Sequence, residues 1–284
     1  MSGSSRDLPS VSLLGLLKGV LRSRSGNGGR GAASQSCYRL AAQDLAQLDA
    51  YRALFGLAPD ALPVSFYYLI AQRAHLATMT GPAFPFRLAG MIHVENASTE
   101  FAPPRLDGEF RVRDGLRVEP RTASGAQYCA FETMVEQGGQ PVFRCESRYL
   151  AVRGERQARL RLALDGALGE PVGAWRLEED EGRRYAQVSG DWNPIHLWRW
   201  SARLFGLQQP IVHGMHTIAK ACALLERAGG RRVASMGARF VAPVPLGSEA
   251  RLEADWAGGR YFVIVGDRLA VEGSFSTSAM IDVL

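Results

Sequence analysis

Lysine is nearly missing from this chain. Lys18 and Lys220 are the only two among 33 basic residues, so almost all of the positive charge is arginine. The net charge of +5 is modest, and the arginines are scattered with no basic helix face and no binding motif, which argues against nucleic acid as a partner. Cysteine is scarce too. Cys37, Cys129, Cys145 and Cys222 share no CxxC spacing and have no histidine at metal-like intervals, so they read as reduced thiols of a cytoplasmic protein, not as a disulfide frame or a metal centre. No apolar run is long enough to cross a bilayer as an integral segment. Residues 11–21 are apolar, but Lys18 interrupts them and the arginines follow, the reverse of a signal peptide. They read as a short amphipathic piece followed by a flexible linker. Gly26, Gly28 and Gly31 fit GxGxxG with no strand before and no apolar helix after, so the match carries no nucleotide-binding meaning.

What the chain has is length and repeated order. Its 284 residues, 46% of them hydrophobic, suit two units with real cores. Residues 36–40 read as a strand and 42–55 as an amphipathic helix. Residues 64–79 are apolar on nearly every side, and a helix of that kind must be buried all round. Period-two stretches follow at 91–101, 108–112, 127–135 and 142–152, the pattern of antiparallel strands. The same order recurs downstream: a short strand at 175–177, a helix at 179–188, and a second buried helix at 214–227 that Gly229 and Gly230 stop. Strands are then expected at 233–241, 249–256, 261–265 and 269–276. Met91 lies 28 positions after Pro63, and Met236 lies 26 after Pro210, so one helix-in-sheet unit occurs twice. The expected class is α+β, each repeat an antiparallel sheet wrapped around a long buried helix. The expected layout is a flexible segment 1–36, a first repeat 37–153, a linker 154–173 and a second repeat 174–284.

Chemistry concentrates between residues 185 and 215. Asp191 and His196 stand five apart across a proline, so a bent loop can aim both side chains into one space, where a carboxylate and an imidazole can exchange protons with bound water. Gly214 opens the second buried helix, whose free N–H groups suit a developing oxyanion. Asp191 alone could simply cap a helix starting at Pro194. His196 and Gly214 beside it favour a site.

The run Tyr185, Ser189-Gly-Asp-Trp-Asn-Pro-Ile-His196 and Val212-His-Gly-Met215 closely resembles the signature of the MaoC-like, or hydratase-2, branch of the hotdog-fold superfamily. The resemblance implies hydration of trans-2-enoyl thioesters to (R)-3-hydroxyacyl thioesters, or the reverse. It makes Asp191 and His196 the catalytic pair, has Asn193 orient the loop, and gives the Gly214 N–H the thioester carbonyl. Asn193, Trp198, His213 and Met215 are the expected substrate contacts. Residues 195–207 would form a lid with Trp198, Trp200 and Phe205 facing the acyl tail. His213 is expected to brace the loop and His216 to lie on the helix surface. Pro82-Ala-Phe-Pro-Phe86 and Gly90-Met-Ile-His93 resemble the first repeat of double-hotdog acyl dehydratases. That half has no Asp-x-Asn-x-x-His, so one site per chain is expected, with His75 and His93 as core or rim residues. No cofactor and no metal are implied. The partner is an acyl thioester of CoA or of an acyl carrier protein, and a homodimer is expected. Arginine forks match CoA phosphates but equally suit a solvated surface. A thioesterase, or a non-catalytic acyl-thioester binding subunit, is the alternative on the same fold.

Overall fold

Alternating burial organises the strands and all-round burial the two long helices. The structure is a computed structural model describing residues 6–10, 33–41, 45–59, 62–155 and 166–278. The amphipathic reading of 11–21, the glycine match at 26–31 and much of the expected linker lie outside the described residues. In chain order the strands are β1 (Arg6–Asp7), β2 (Ala33–Leu40), β3 (Ile92–Glu100), β4 (Phe110–Val118), β5 (Gln127–Gln137), β6 (Gln140–Val152), β7 (Glu170–Arg176), β8 (Val233–Phe240), β9 (Glu249–Asp255), β10 (Arg260–Val265) and β11 (Arg268–Thr277). The helices are α1 (Leu48–Phe55), α2 (Tyr67–Met79), α3 (Glu181–Ser189), α4 (Arg199–Leu204) and α5 (Gly214–Gly229). None of the described helices is long and apolar enough to cross a membrane.

The chain divides into two units, residues 1–46 with 67–159 and residues 47–66 with 160–284. In the first, the strand order is β1-β2-β4-β5-β6-β3. The β1–β2 pair is parallel and the others antiparallel. Helix α2 is buried along most of its length, from Tyr67 through His75 to Met79. Met79 joins Phe84, Phe86, Leu116, Val118, Cys129, Phe131 and Tyr149 in one core. Strand β4 runs six residues beyond the expected 108–112. Its core-facing row is Phe110, Val112, Asp114, Leu116 and Val118, and the carboxylate in the middle breaks the apolar alternation that a sequence reader follows. Asp114 is accommodated by partners: Thr133 donates to it at 2.7 Å, and His75 Nε2 in turn lies 3.1 Å from the Thr133 hydroxyl. His75 Nδ1 faces the Tyr149 hydroxyl at 3.2 Å, so this core histidine has a partner on each nitrogen.

In the second unit the order is β8-β11-β10-β9-β7, antiparallel throughout. Helix α5 buries Met215, Ile218, Ala219, Cys222 and Leu225 and ends at Gly230, whose φ of 63° is the left-handed stop that glycine accepts at low cost. Strand β7 starts well before the expected 175–177, where a register shift between Pro171 and Gly173 hides it from a period-two reading. Residues 47–66 need a correction. The sequence reading gives them to the first repeat, yet they group with the second. The reason is aromatic packing: Phe55 meets Tyr185 and His216 with ring centroids 6.1 and 5.1 Å apart.

Candidate active site

Helix α3 ends on Gly190 at φ 73°, its N–H returning to the Ala186 carbonyl, and the chain reverses there. Two short polar turns then build the loop. The Asp191 N–H donates to Ser189 Oγ at 3.1 Å, and Asp191 Oδ1 accepts the Asn193 N–H at 3.2 Å. Asn193 Oδ1 accepts the Ile195 N–H and caps the 3₁₀ turn Pro194–His196, in which proline takes the first turn. The cap is therefore Asn193. Asp191 does not cap the turn, and its half-buried carboxylate belongs to the loop.

His196 is 8% exposed. Its Nδ1–H donates to the Ile211 carbonyl at 2.8 Å, which leaves Nε2 with its lone pair. The Ile211 N–H returns to the Ile195 carbonyl, so the two ends of the 195–211 excursion are tied together beside the imidazole. Two residues of α3 fix the turn from below. Gly182 lies so close to the His196 carbonyl that a Cβ has no room, and Arg183 donates to the Leu197 carbonyl at 2.9 Å. Neither was singled out in the sequence. The available signal was an isolated glycine inside a helical segment.

His213 closes the group. Its Nε2–H donates to the Asp191 backbone carbonyl at 2.9 Å, and its ring stacks on His196 with centroids 3.8 Å apart. One ring nitrogen from each histidine and a carboxylate oxygen of Asp191 lie within 4.8 Å of one another. Burial, the main cause, pushes His196 below the usual histidine range, while the Asp191 charge and the Ile211 bond pull the other way. Burial and then His196 push His213 well below. Both imidazoles are neutral near neutrality. Gly214 is the first residue of α5, so its N–H has no acceptor within the helix, and the Phe240 ring lies 2.6 Å from where a Cβ would stand.

Of the other expected contacts, Met215 is buried and Asn193 is exposed. Trp198 stacks on Trp200, is 41% exposed, and lines a cavity of about 130 Å³ with Arg183, Gln209 and Leu246. Trp200 and Phe205 are more than half exposed. His216 is a second correction. Expected on the helix surface, it is fully buried, because α1 covers that face of α5 with Phe55.

In each unit a run of paired strands accompanies one long buried helix, which defines an α+β double-hotdog protein, and known structures agree. The crystal structure of HtdX of Mycobacterium tuberculosis has a TM-score of 0.69 at 25% identity, covering 87% of this chain and 100% of that one. A MaoC-like dehydratase from Phytophthora capsici has a TM-score of 0.61 at 15% identity, covering 89% and 97%. A second M. tuberculosis protein, described as a double hotdog, has 0.53 at 13%, covering 88% and 96%. Residues 162–273 match the MaoC like domain. The 3-hydroxyacyl-thioester dehydratase X of M. tuberculosis is 30% identical over 223 residues, covering 74% of this chain and 75% of that protein. The chain belongs to the MaoC-like dehydratase family and is a hydro-lyase.

Proposed function

We propose that the chain dehydrates (R)-3-hydroxyacyl thioesters to trans-2-enoyl thioesters, and runs the reverse hydration, in fatty-acid or related acyl metabolism. The observation that carries this reading is the convergence of the Asp191 carboxylate with the His196 imidazole beside the first turn of α5. In dehydration, His196 Nε2 takes the α-proton. The electron pair moves onto the thioester oxygen, which the Gly214 N–H holds, a donor role typically worth on the order of 3 kcal/mol. The enolate then expels the 3-hydroxyl. The proton taken by His196 is relayed through Asp191 and a bridging water to that leaving group, so one water departs and the pair returns to its starting state. Positioned proton transfer of this kind contributes about 10²–10⁴-fold. Both groups work from one loop, which favours proton removal and hydroxyl departure on the same face of the substrate. We assign Asn193 to holding the loop, and His213, Met215 and Trp198 to the walls around the thioester. The carrier is CoA or an acyl carrier protein. The four free cysteines support a reducing, cytoplasmic setting, and the fold leads us to expect a homodimer.

The test is incubation with crotonyl-CoA and a longer enoyl-CoA, with acyl carrier protein thioesters in parallel and product chirality determined. Loss of enoyl absorbance without free thiol, giving the (R) product, is the expected result. Release of free thiol would make the chain a thioesterase, and no change with either carrier would make it a binder. Asp191→Asn and His196→Ala should each abolish turnover while the fold survives.

A further inference from the structure

The loop that gathers Asp191, His196 and His213 has a second property, independent of the thioester. Three donor atoms, one carboxylate oxygen and two ring nitrogens, lie within 4.8 Å of one another. Each imidazole is fixed from behind by a backbone carbonyl: His196 Nδ1–H on Ile211, His213 Nε2–H on Asp191. These bonds leave His196 Nε2 and His213 Nδ1 as lone-pair donors, and His213 Nδ1 is buried without a hydrogen-bond partner, in a side chain that is itself 3% exposed. Metal-binding histidines are held in this way, the second nitrogen donating to a carbonyl or carboxylate that sets tautomer and ring orientation. Two neutral imidazoles with one carboxylate are a donor set for borderline first-row divalent ions and a poor one for magnesium, which wants six oxygens. The sequence hid the set because the two histidines come from opposite ends of the 196–213 excursion, which the Ile195–Ile211 contact closes.

We propose that Asp191, His196 and His213 bind one borderline divalent cation, with Zn²⁺ as the probe, and that the bound ion inhibits the enzyme. Bonds of about 2.1 Å from three protein donors leave a fourth position for water. Inhibition follows from the lone pairs. A nitrogen committed to zinc cannot accept an α-proton, and a carboxylate committed to zinc cannot relay one. Binding itself does not depend on the proposed reaction; only the inhibition rests on it.

Binding is measured by calorimetry and by competition with a chromogenic zinc chelator, on the whole chain in metal-free buffer, alongside turnover on an enoyl thioester. One equivalent of Zn²⁺ should bind, Mg²⁺ should not, and turnover should fall in step with occupancy and return with chelator. His213→Ala and Asp191→Asn should each weaken binding at least about tenfold, as loss of a ligand or its support does in metal sites. Circular dichroism of both variants verifies the fold, and Asp191→Asn alters charge with no change in bulk, so it serves if His213→Ala fails to fold. No stoichiometric binding, or binding that both folded variants keep in full, overturns the site. Zinc binding without any turnover would leave the site standing and sink the proposed reaction; turnover without zinc binding would do the reverse.

Discussion

The Cα of Gly182 rests against the carbonyl oxygen of His196, and a Cβ built there would overlap that oxygen. Backbone oxygen cannot swing away as a side-chain tip can, so any larger residue must push α3 and the Pro194–His196 turn apart. The first prediction follows from this contact. Gly182→Ala should cost about 1–3 kcal/mol of stability, the usual range for overpacking. Its effect on turnover should be larger, about a hundredfold, because a displacement near 1 Å at the reacting groups costs that much. Steady-state kinetics beside thermal melts measure both, and a folded variant with the parent's turnover would show that the contact does not position His196.

Gly214 offers a parallel case with a flexible neighbour. An added Cβ would meet the Phe240 ring at 2.6–2.9 Å, and that ring, unlike a carbonyl, can be removed. Gly214→Ala should therefore lose about 10²–10³-fold in turnover if it misdirects the N–H at the mouth of α5, the range seen when an oxyanion donor is lost. Adding Phe240→Ala should restore a good part of that loss. If the double variant is no better than the single one, crowding is not the cause.

Much of this was legible because the catalytic candidates are local. Asp191, Asn193 and His196 sit in one twelve-residue stretch with its own turn chemistry, and Gly214 announces a helix start. The buried helices α2 and α5 were legible for the same reason, since the all-round apolarity of α2 and the apolar spacing and glycine stop of α5 are written within each segment. Long-range packing was not. Nothing within residues 47–66 says that Phe55 will cover His216, and so the segment was given to the wrong repeat and the histidine to the wrong environment. Asp114 misled in the opposite sense: a carboxylate on a core-facing row looks like the end of a strand until Thr133 and Thr78 are seen to bond it.

His216 now has a definite neighbour. Its Nε2 lies 3.5 Å from Glu181 Oε2, both side chains are nearly sealed, and neither nitrogen of the ring has a hydrogen bond. Burial pushes the Glu181 carboxyl up and the His216 imidazole well down, so both shifts favour the uncharged forms. Glu181→Gln keeps a donor toward Nε2 and should stay within about 1 kcal/mol of the parent, whereas Glu181→Leu should cost about 1–3 kcal/mol by stranding a buried polar group. A charged pair would behave differently, with glutamine about as damaging as leucine. Urea unfolding of the two variants separates these cases.

Asp114 gives the last prediction, and its sign is opposite to that of most carboxylates. Burial raises its pKa from 3.8 to about 7, the Thr133 and Thr78 bonds opposing the shift. Between those values the unfolded chain ionises while the folded chain keeps its proton, so the folded state binds more protons and stability falls as pH rises. Below the lower value there is no penalty, and above the upper one it is complete, up to about 4 kcal/mol for a shift of some three pK units. The buried histidines shift downward and favour the fold as pH rises through their unfolded range, so the parent's own profile mixes both signs. The difference between Asp114→Asn and the parent isolates one group. Asparagine can still accept from Thr133 and never ionises, so its advantage should be small near pH 4 and largest above about pH 7. Chemical unfolding across that range measures the difference, and a constant offset between the two proteins at every pH would mean that Asp114 does not titrate in this window.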